Sequence, residues 1–509
     1  MISTQRMYVT AAKPRWKHTD TARSVITALC LLLIMSPAAT AGAGTQSAAD
    51  HWRALTRIDA DAAYTLLENN HPGAVSEVGD TLFKTMLAAA HTKALARAAD
   101  VTNYEGYVAT LGEFAATMSD GHVWSHPRFL PRSVYWAGLI AARRGSSWVV
   151  ANENPDITGA PLTGARIVSC DGQSADARAV EVLHFLADPS IEASQVIKGG
   201  WLLVDVGNPF LPRSRGCIFE RDGTEVSVTL HWQPIDRNTL FSKYWKNPYG
   251  KAGYGLRQSG AGYWIAIEEL SPPAQAVIDA VKAQEDKVRS APYAVVDLRG
   301  NSGGDDAYGR ALADALYGSN YVTAMLGPND NGAGDCTVFR ASPDNIAAIA
   351  ASAADFRTTG DVAGAEGYAV AVTRMKAAAD TGHALSGSLT CPARPSSSPR
   401  IATSLMRGKV FVLTDPLCFS SCIQTVGYFR KLGATQLGQA TGADTHYSEV
   451  REIVLPSGLS TFSTLTALMP DEPLRLGPYL PKSEYVGDIA DTASLEKWVA
   501  DSVVNVTGE

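Results

Sequence analysis

Between residues 50 and 118 the apolar positions recur with helical spacing. DHWRALTRIDADAAYTLLENN is halted by His71-Pro72-Gly73, and TLFKTMLAAAHTKALARAAD and YEGYVATLGEFAATMSD continue the pattern. The turn Ser119-Asp120-Gly121-His122 closes this helical region. From about 130 to 236 the period shortens to two: SSWVVANE, GARIVSCDG, RGCIFERDG and TEVSVTLHW alternate apolar and polar residues between Gly-bearing turns. One helix-like stretch, ADARAVEVLHFL, interrupts these strands. After residue 250 strands and helices alternate: GYWIAIEEL, AQAVIDAVKAQEDKVR, YAVVDLRG, DDAYGRALADALYG. The near-continuous apolar run YAVVDL predicts a parallel strand covered on both faces. Residues 328–398 break this rhythm with two Ala-rich helical stretches and the loop-like CPARPSSSPR, and read as an insertion. The alternation resumes with KVFVLTD, a helix from about Ser420 to Leu432, QLGQATG, the hairpin EVREIVLPSGLSTFSTLTALM and a closing helix SLEKWVADSV.

The first forty residues belong to export instead of the fold. Arg6, Lys13, Arg15, Lys17 and Arg23 precede the apolar run Val25–Met35 and the small-residue stretch Ser36-Pro37-Ala38-Ala39-Thr40-Ala41. That order predicts a signal peptide cut near Ala41 and a secreted or periplasmic protein. The apolar run is short for a membrane span, so no integral membrane segment is expected after cleavage. The expected organisation is a signal peptide over 1–41, a helical region over 42–128, a β-rich module over 129–236 and an α/β core over 237–509. The 509 residues suffice for such a multidomain chain. The net charge is −7, and losing five Lys/Arg and one Asp with residues 1–41 leaves −11. A chain this acidic offers no charge excess to a phosphate backbone, so no nucleic-acid partner is expected.

Six cysteines remain beyond residue 41, an even set that in an exported chain suggests disulfides. Segment boundaries suggest Cys170–Cys217, Cys336–Cys391 and Cys418–Cys422, with buried free thiols as the alternative. No Cys-x-x-Cys pair is present, and His126, four residues after His122, is followed by Pro127 outside any HExxH frame. No metal and no cofactor is therefore expected.

Three segments carry candidate chemistry. Asp297-Leu298-Arg299-Gly300-Asn301-Ser302-Gly303-Gly304 follows a buried strand, and its glycines allow backbone N–H groups to face an anion. It matches neither GxGxxG nor GxxxxGK[ST]. Ser420 and Ser421 stand at a strand-to-helix junction, where a hydroxyl is exposed beside a helix N-terminus. Neither serine stands in a GxSxG frame and neither has a Lys three residues on, and two such serines taken alone are more commonly helix caps. His122, next to Gly121 in a loop, has the chemistry of a general base.

Taken in order, DGH, strand–DLRGNSGG and strand–SS–helix resemble the tail-specific, carboxyl-terminal processing serine peptidases. The closer resemblance is to the branch with tricorn-core and interphotoreceptor-retinoid-binding-protein-like members. DLRGNSGG is similar to the family's DLRxNxGG, and GARIVSCDGQSADARAVEVL to the strand–turn–helix of its PDZ-like module. The likeness runs from about residue 50 to the end, with 328–398 unmatched. It implies a helical region, a PDZ-like module and an α/β core of the crotonase and Clp-protease type, acting on a protein or peptide substrate. It implies Ser420 as nucleophile, His122 as base, and an oxyanion hole made by Ser421 N–H and an N–H near Gly303. The chain departs from the Ser–Lys branch in having Thr445 where a Lys would stand. It lacks the Glu that precedes G-V-x-P-D in the tricorn-like branch; Glu472 is the carboxylate offered near there, and Glu449 another in the same half. By the same resemblance the strand Gly164–Val168 and the helix Ala175–Leu186 would form a groove for an extended peptide. A ligand carrier without catalysis on the same scaffold is the alternative function.

Overall fold

The most apolar strands of the chain lie side by side. The structure, a computed structural model, describes residues 47–159, 161–327, 336–391 and 402–507, so the expected signal peptide and most of CPARPSSSPR lie outside the described residues. Six strands form the central sheet in chain order: β1 (Tyr254–Ser259), β2 (Gly262–Ile267), β3 (Tyr293–Asp297), β4 (Lys409–Thr414), β5 (Thr435–Gly438) and β6 (Ser483–Glu484). β1 and β2 are an antiparallel hairpin, and every later pair is parallel. Helices on both faces explain why β3 and β4 are apolar throughout. Ala294, Val296, Val410 and Val412 pack toward helices Pro272–Ala283, Asp306–Tyr317 and Ser421–Lys431, whereas Val295, Phe411 and Leu413 meet Leu495 and Val499 of helix Thr492–Thr507. The helix expected over AQAVIDAVKAQEDKVR is two, Pro272–Ala283 and Glu285–Ser290, meeting at Gln284.

The three N-terminal helices, Ala48–Asn70, Thr81–Ala98 and Tyr104–Thr117, each begin at a side-chain cap: Ser47, Asp80 and Asn103 accept backbone N–H bonds two or three residues on. Their apolar faces do not close on themselves. Leu67, Phe83, Leu111 and Phe114 share one core with Tyr447, Phe462 and Leu465 of the hairpin Tyr447–Val454/Ser460–Leu468. Strand Ser125–Pro127 then pairs with Ser460–Phe462 of that hairpin. The loop that carries His122 is thereby pinned against the core.

The middle module is an antiparallel sheet with strand order Leu139–Arg144, Ser147–Glu153, Arg166–Cys170, Gly216–Arg221, Thr224–Thr229. Cys170 and Cys217 face each other in register and are bonded. The groove expected at Gly164–Val168 is not an open edge. Arg166–Cys170 is an interior strand paired on both sides, and Ala165 and Ile167 are buried. The free edges of this sheet are Leu139–Arg144 and Thr224–Thr229.

The described part of the insertion holds helices Pro343–Thr359 and Val362–Asp380. It is sewn to the core hairpin, because Val338–Phe339 pairs with Ala467–Leu468 and Ile349 and Met375 pack with Ala467. Cys336 and Cys391 are bonded at its base, with Cα atoms 5.5 Å apart.

Candidate active site

Adjacent parallel strands bring the loops after them together, and here those are the Gly-rich loop after β3 and the Pro416–Ser420 turn after β4. Crevices at the carboxyl ends of such strands are where α/β sheets place their chemistry. Asp415 joins the two loops: its carboxylate accepts N–H bonds from Gly250 (2.8 Å), Gly300 (2.9 Å) and Leu417 (3.0 Å). Beneath them Arg299 forms a buried double contact with Asp297 and donates to the Ile489 carbonyl. Neither Asp415 nor this pair touches solvent, so both serve to hold the loops.

Ser420 is held at φ 56°, ψ −131°, a conformation costly for a residue with a Cβ. Its side chain makes no capping hydrogen bond to helix Ser421–Lys431. The capping role common for a serine at this place is therefore not what Ser420 does. The Ser421 hydroxyl instead donates to the Gly304 carbonyl at 2.7 Å, locking the helix start onto the Gly-rich loop. Cys418 and Cys422 are bonded across this junction and fully buried.

The glycines of the loop are obligatory for two reasons. Gly303 and Gly304 have φ of 111° and 124°. A Cβ on Gly303 would lie 2.9 Å from Ser420 Cβ and 3.1 Å from Ser421 N, and one on Gly304 would lie 2.0 Å from the Leu270 carbonyl oxygen. The loop therefore passes directly against the Ser420 turn. The N–H of Gly303 itself donates to Asn301 Oδ1 (2.9 Å), so it is already used. The strand-like bonds on either side run from Leu270 N–H to Gly303 O and from Asp305 N–H to Leu270 O, and bypass the N–H of Gly304.

His122 reaches this turn from the N-terminal region. Its ring lies 4.5 Å from the ring of Phe419, the residue before Ser420, and Gly121 is packed so closely on Phe419 that a Cβ would collide with it. On its other side Nδ1 stands 3.1 Å from Asp444 Oδ1 and 3.7 Å from Asp120 Oδ1. Asp120 also accepts the His122 backbone N–H (2.8 Å) and the Thr445 hydroxyl (2.8 Å), tying the His loop to the strand that follows Asp444. Burial by itself would depress the imidazole; the charges of Asp444 and Asp120 outweigh it and push its pKa up to about 10. Burial likewise opposes ionisation of Asp120, but its contacts with His122 hold it down at about 2.

Sequence reasoning missed both carboxylates. Asp120 was visible in the DGH motif, whereas nothing local marks Asp444, which precedes the Thr445 that stands where a Lys was sought. Glu472 is not beside His122 Nδ1; its backbone N–H bonds Met469 O past the end of the core hairpin. Glu449, the other carboxylate considered, accepts from the Tyr368 hydroxyl of the insertion. Asp120, His122 and Asp444 offer one ligand atom each within 4.8 Å, the one such group found among the described residues. Two carboxylates facing a single imidazole nitrogen are equally what retains a proton there.

Residues 264–471 match the sequence model of Peptidase family S41, a family of serine-type hydrolases. Among solved structures, the chain is similar to mature CPAF complexed with lactacystin. There the TM-score is 0.56 at 12% identity, over 89% of this chain and all of that one. A crystal structure of a CPAF s499a mutant gives a TM-score of 0.55 at 10% identity, over 90% and 97% of the two chains. The tricorn protease is matched at a TM-score of 0.35 and 12% identity, over 90% of this chain and 37% of that one. At such identity the CPAF likeness is one of fold, and it spans the helical region, the module and the core together. No match is found among curated proteins.

Proposed function

We propose that the protein is an exported serine peptidase in which Ser420 attacks the peptide carbonyl and His122 takes its proton. The observation that carries this reading is the backbone of Ser420, held at positive φ beside Gly303 and Gly304 with its side chain left out of the helix cap. Oxyanion stabilisation falls to the Ser421 N–H at the helix start, with the Gly304 N–H in place of that of Gly303. His122 then returns the proton to the leaving amine, and water releases the acyl group from Ser420 Oγ by the reverse sequence. Asp444, not Glu472, is the carboxylate that holds the imidazolium. In this reading residues 129–236 are a PDZ-like module, 237–509 a crotonase-like core, and residues 1–41 an export signal. The three disulfides support an oxidising compartment.

A second reading, ligand binding without turnover, draws on one observation: an imidazole with a pKa of about 10 carries a proton at neutral pH and is not a base there. A fluorophosphonate probe separates the two. Labelling of the wild type above pH 8 that is lost in Ser420→Ala, with peptide turnover reduced on the order of 10⁶, supports the peptidase. Equal labelling of Ser420→Ala and wild type refutes the assignment.

A further inference from the structure

A cavity of about 550 Å³ lies where the three parts of the chain meet. The second N-terminal helix contributes Leu82 and Met86, the middle module Ala187, Pro189 and Ile191, and the core Pro478. It is continuous with the catalytic network, because Asp444 and Ser119, one residue ahead of Asp120, also form its wall.

Most polar groups of the lining already have partners. Arg475 donates to the Ser119 carbonyl (3.1 Å), Asp188 accepts from the hydroxyls of Ser119 and Ser190, and His184 contacts buried Glu113 (2.9 Å). A charged or strongly polar guest would lose its water and find few partners there, chiefly the remaining N–H groups of Arg475. What remains open is mostly hydrocarbon, with Leu82 49% exposed at the rim. The volume lies within the ordinary range of ligand pockets and exceeds the need of a small side chain.

We propose that this cavity is a specificity subsite that receives one large apolar side chain, Leu, Met or Phe, of a peptide substrate. The inference rests on the peptidase reading, because the cavity adjoins the Asp444 side of the His122 network, but the binding itself does not depend on turnover. A peptide residue seated there would also keep water from the Asp444 wall.

The test uses two peptide series, identical except for Leu, Ala, Glu or Lys scanned through successive positions. Their binding to the full-length Ser420→Ala protein is measured by fluorescence anisotropy, and their cleavage by wild type in parallel. One position should favour Leu over Ala and over Glu by roughly 10–200-fold, the discrimination an apolar pocket gives. Leu82→Glu, at the exposed rim, should cut the Leu preference about tenfold and raise affinity for the Lys peptide, a change of selectivity that misfolding does not produce. Ala187→Phe, which puts an aromatic ring into the cavity, should reduce the Leu preference, while Ile58→Glu, equally exposed on helix Ala48–Asn70, should keep it. Absence of any apolar preference in the Ser420→Ala protein, or an unchanged preference in both cavity variants, overturns the proposal. Binding with the expected preference but no cleavage by wild type retains the subsite and refutes the peptidase reading instead.

Discussion

At the scale of single residues, the role proposed for His122 turns on its charge. It lies between Asp444 and Asp120, with His71 and His446 beyond Asp120 near enough to feel its charge. An imidazole raised from 6.5 to about 10 is protonated at neutral pH, so kcat/KM should climb about tenfold per pH unit from pH 7 toward pH 10. The stability it contributes runs the other way: present in full below pH 6.5, it is lost as pH rises through about 10. Asp120→Asn removes one of the two charges and should move the acid limb down by about 1–3 pH units. Asp444→Asn should lower kcat on the order of 10⁴, because the imidazole loses the group that orients it. A pH–rate series on the three proteins checks this, and an acid limb near 6.5 in the wild type contradicts it.

At the scale of elements, one carboxylate joins three helices. Glu113, 2% exposed on helix Tyr104–Thr117, contacts Lys93 (2.6 Å) and Arg97 of helix Thr81–Ala98 and His184 (2.9 Å) at the end of helix Ala175–Leu183. Burial alone would raise its pKa; the hydrogen bonds from His184, Arg97 and Lys93 bring it down to about 2. Glu113→Gln leaves those cations without their counter-charge and should cost about 3–5 kcal/mol in urea unfolding. A depressed carboxylate stabilises above its unfolded value of 4.5, and the contribution fades as pH falls through about 2. The gap between wild type and Glu113→Gln should therefore narrow by about 3 kcal/mol from pH 5 to pH 2, at 1.36 kcal/mol per pKa unit. A gap independent of pH would show that the ionised form is not the stabilising one.

At the scale of the whole molecule, the helical region and the core share one hydrophobic cluster. Phe114 meets Phe462 edge to face at 5.5 Å, and buried Asp59 accepts bonds from Tyr107 (2.6 Å) and from the Ser457 backbone N–H (3.0 Å). The core expressed alone as residues 237–509 would expose Phe462, Leu465 and Leu468 and lose His122 with its loop. It should therefore aggregate or bind a hydrophobic dye, and co-expression with residues 42–236 should restore a soluble complex. A soluble monomeric 237–509 fragment with a cooperative thermal transition would show that the shared core is dispensable.

Much of this molecule was legible along the chain because its signals are local. The buried run YAVVDL, the glycines of DLRGNSGG and the Ser at the end of a strand each follow from short-range chemistry, and the three cysteine pairs suggested by segment boundaries are the ones bonded. The helix and strand patterns likewise follow from the spacing of apolar residues within a few turns or pleats. What only the tertiary structure decided depends on distance across the fold. Asp444 carries no motif and becomes the partner of His122 because the hairpin that follows it packs on the N-terminal helices. Gly303 was nominated as a donor, but Asn301 two residues earlier takes its N–H, and the Gly164–Val168 edge is closed by a strand from Gly216–Arg221. Composition and periodicity describe what each segment buries. Which segment it is buried against is set by long-range pairing, and that pairing placed the carboxylates around His122.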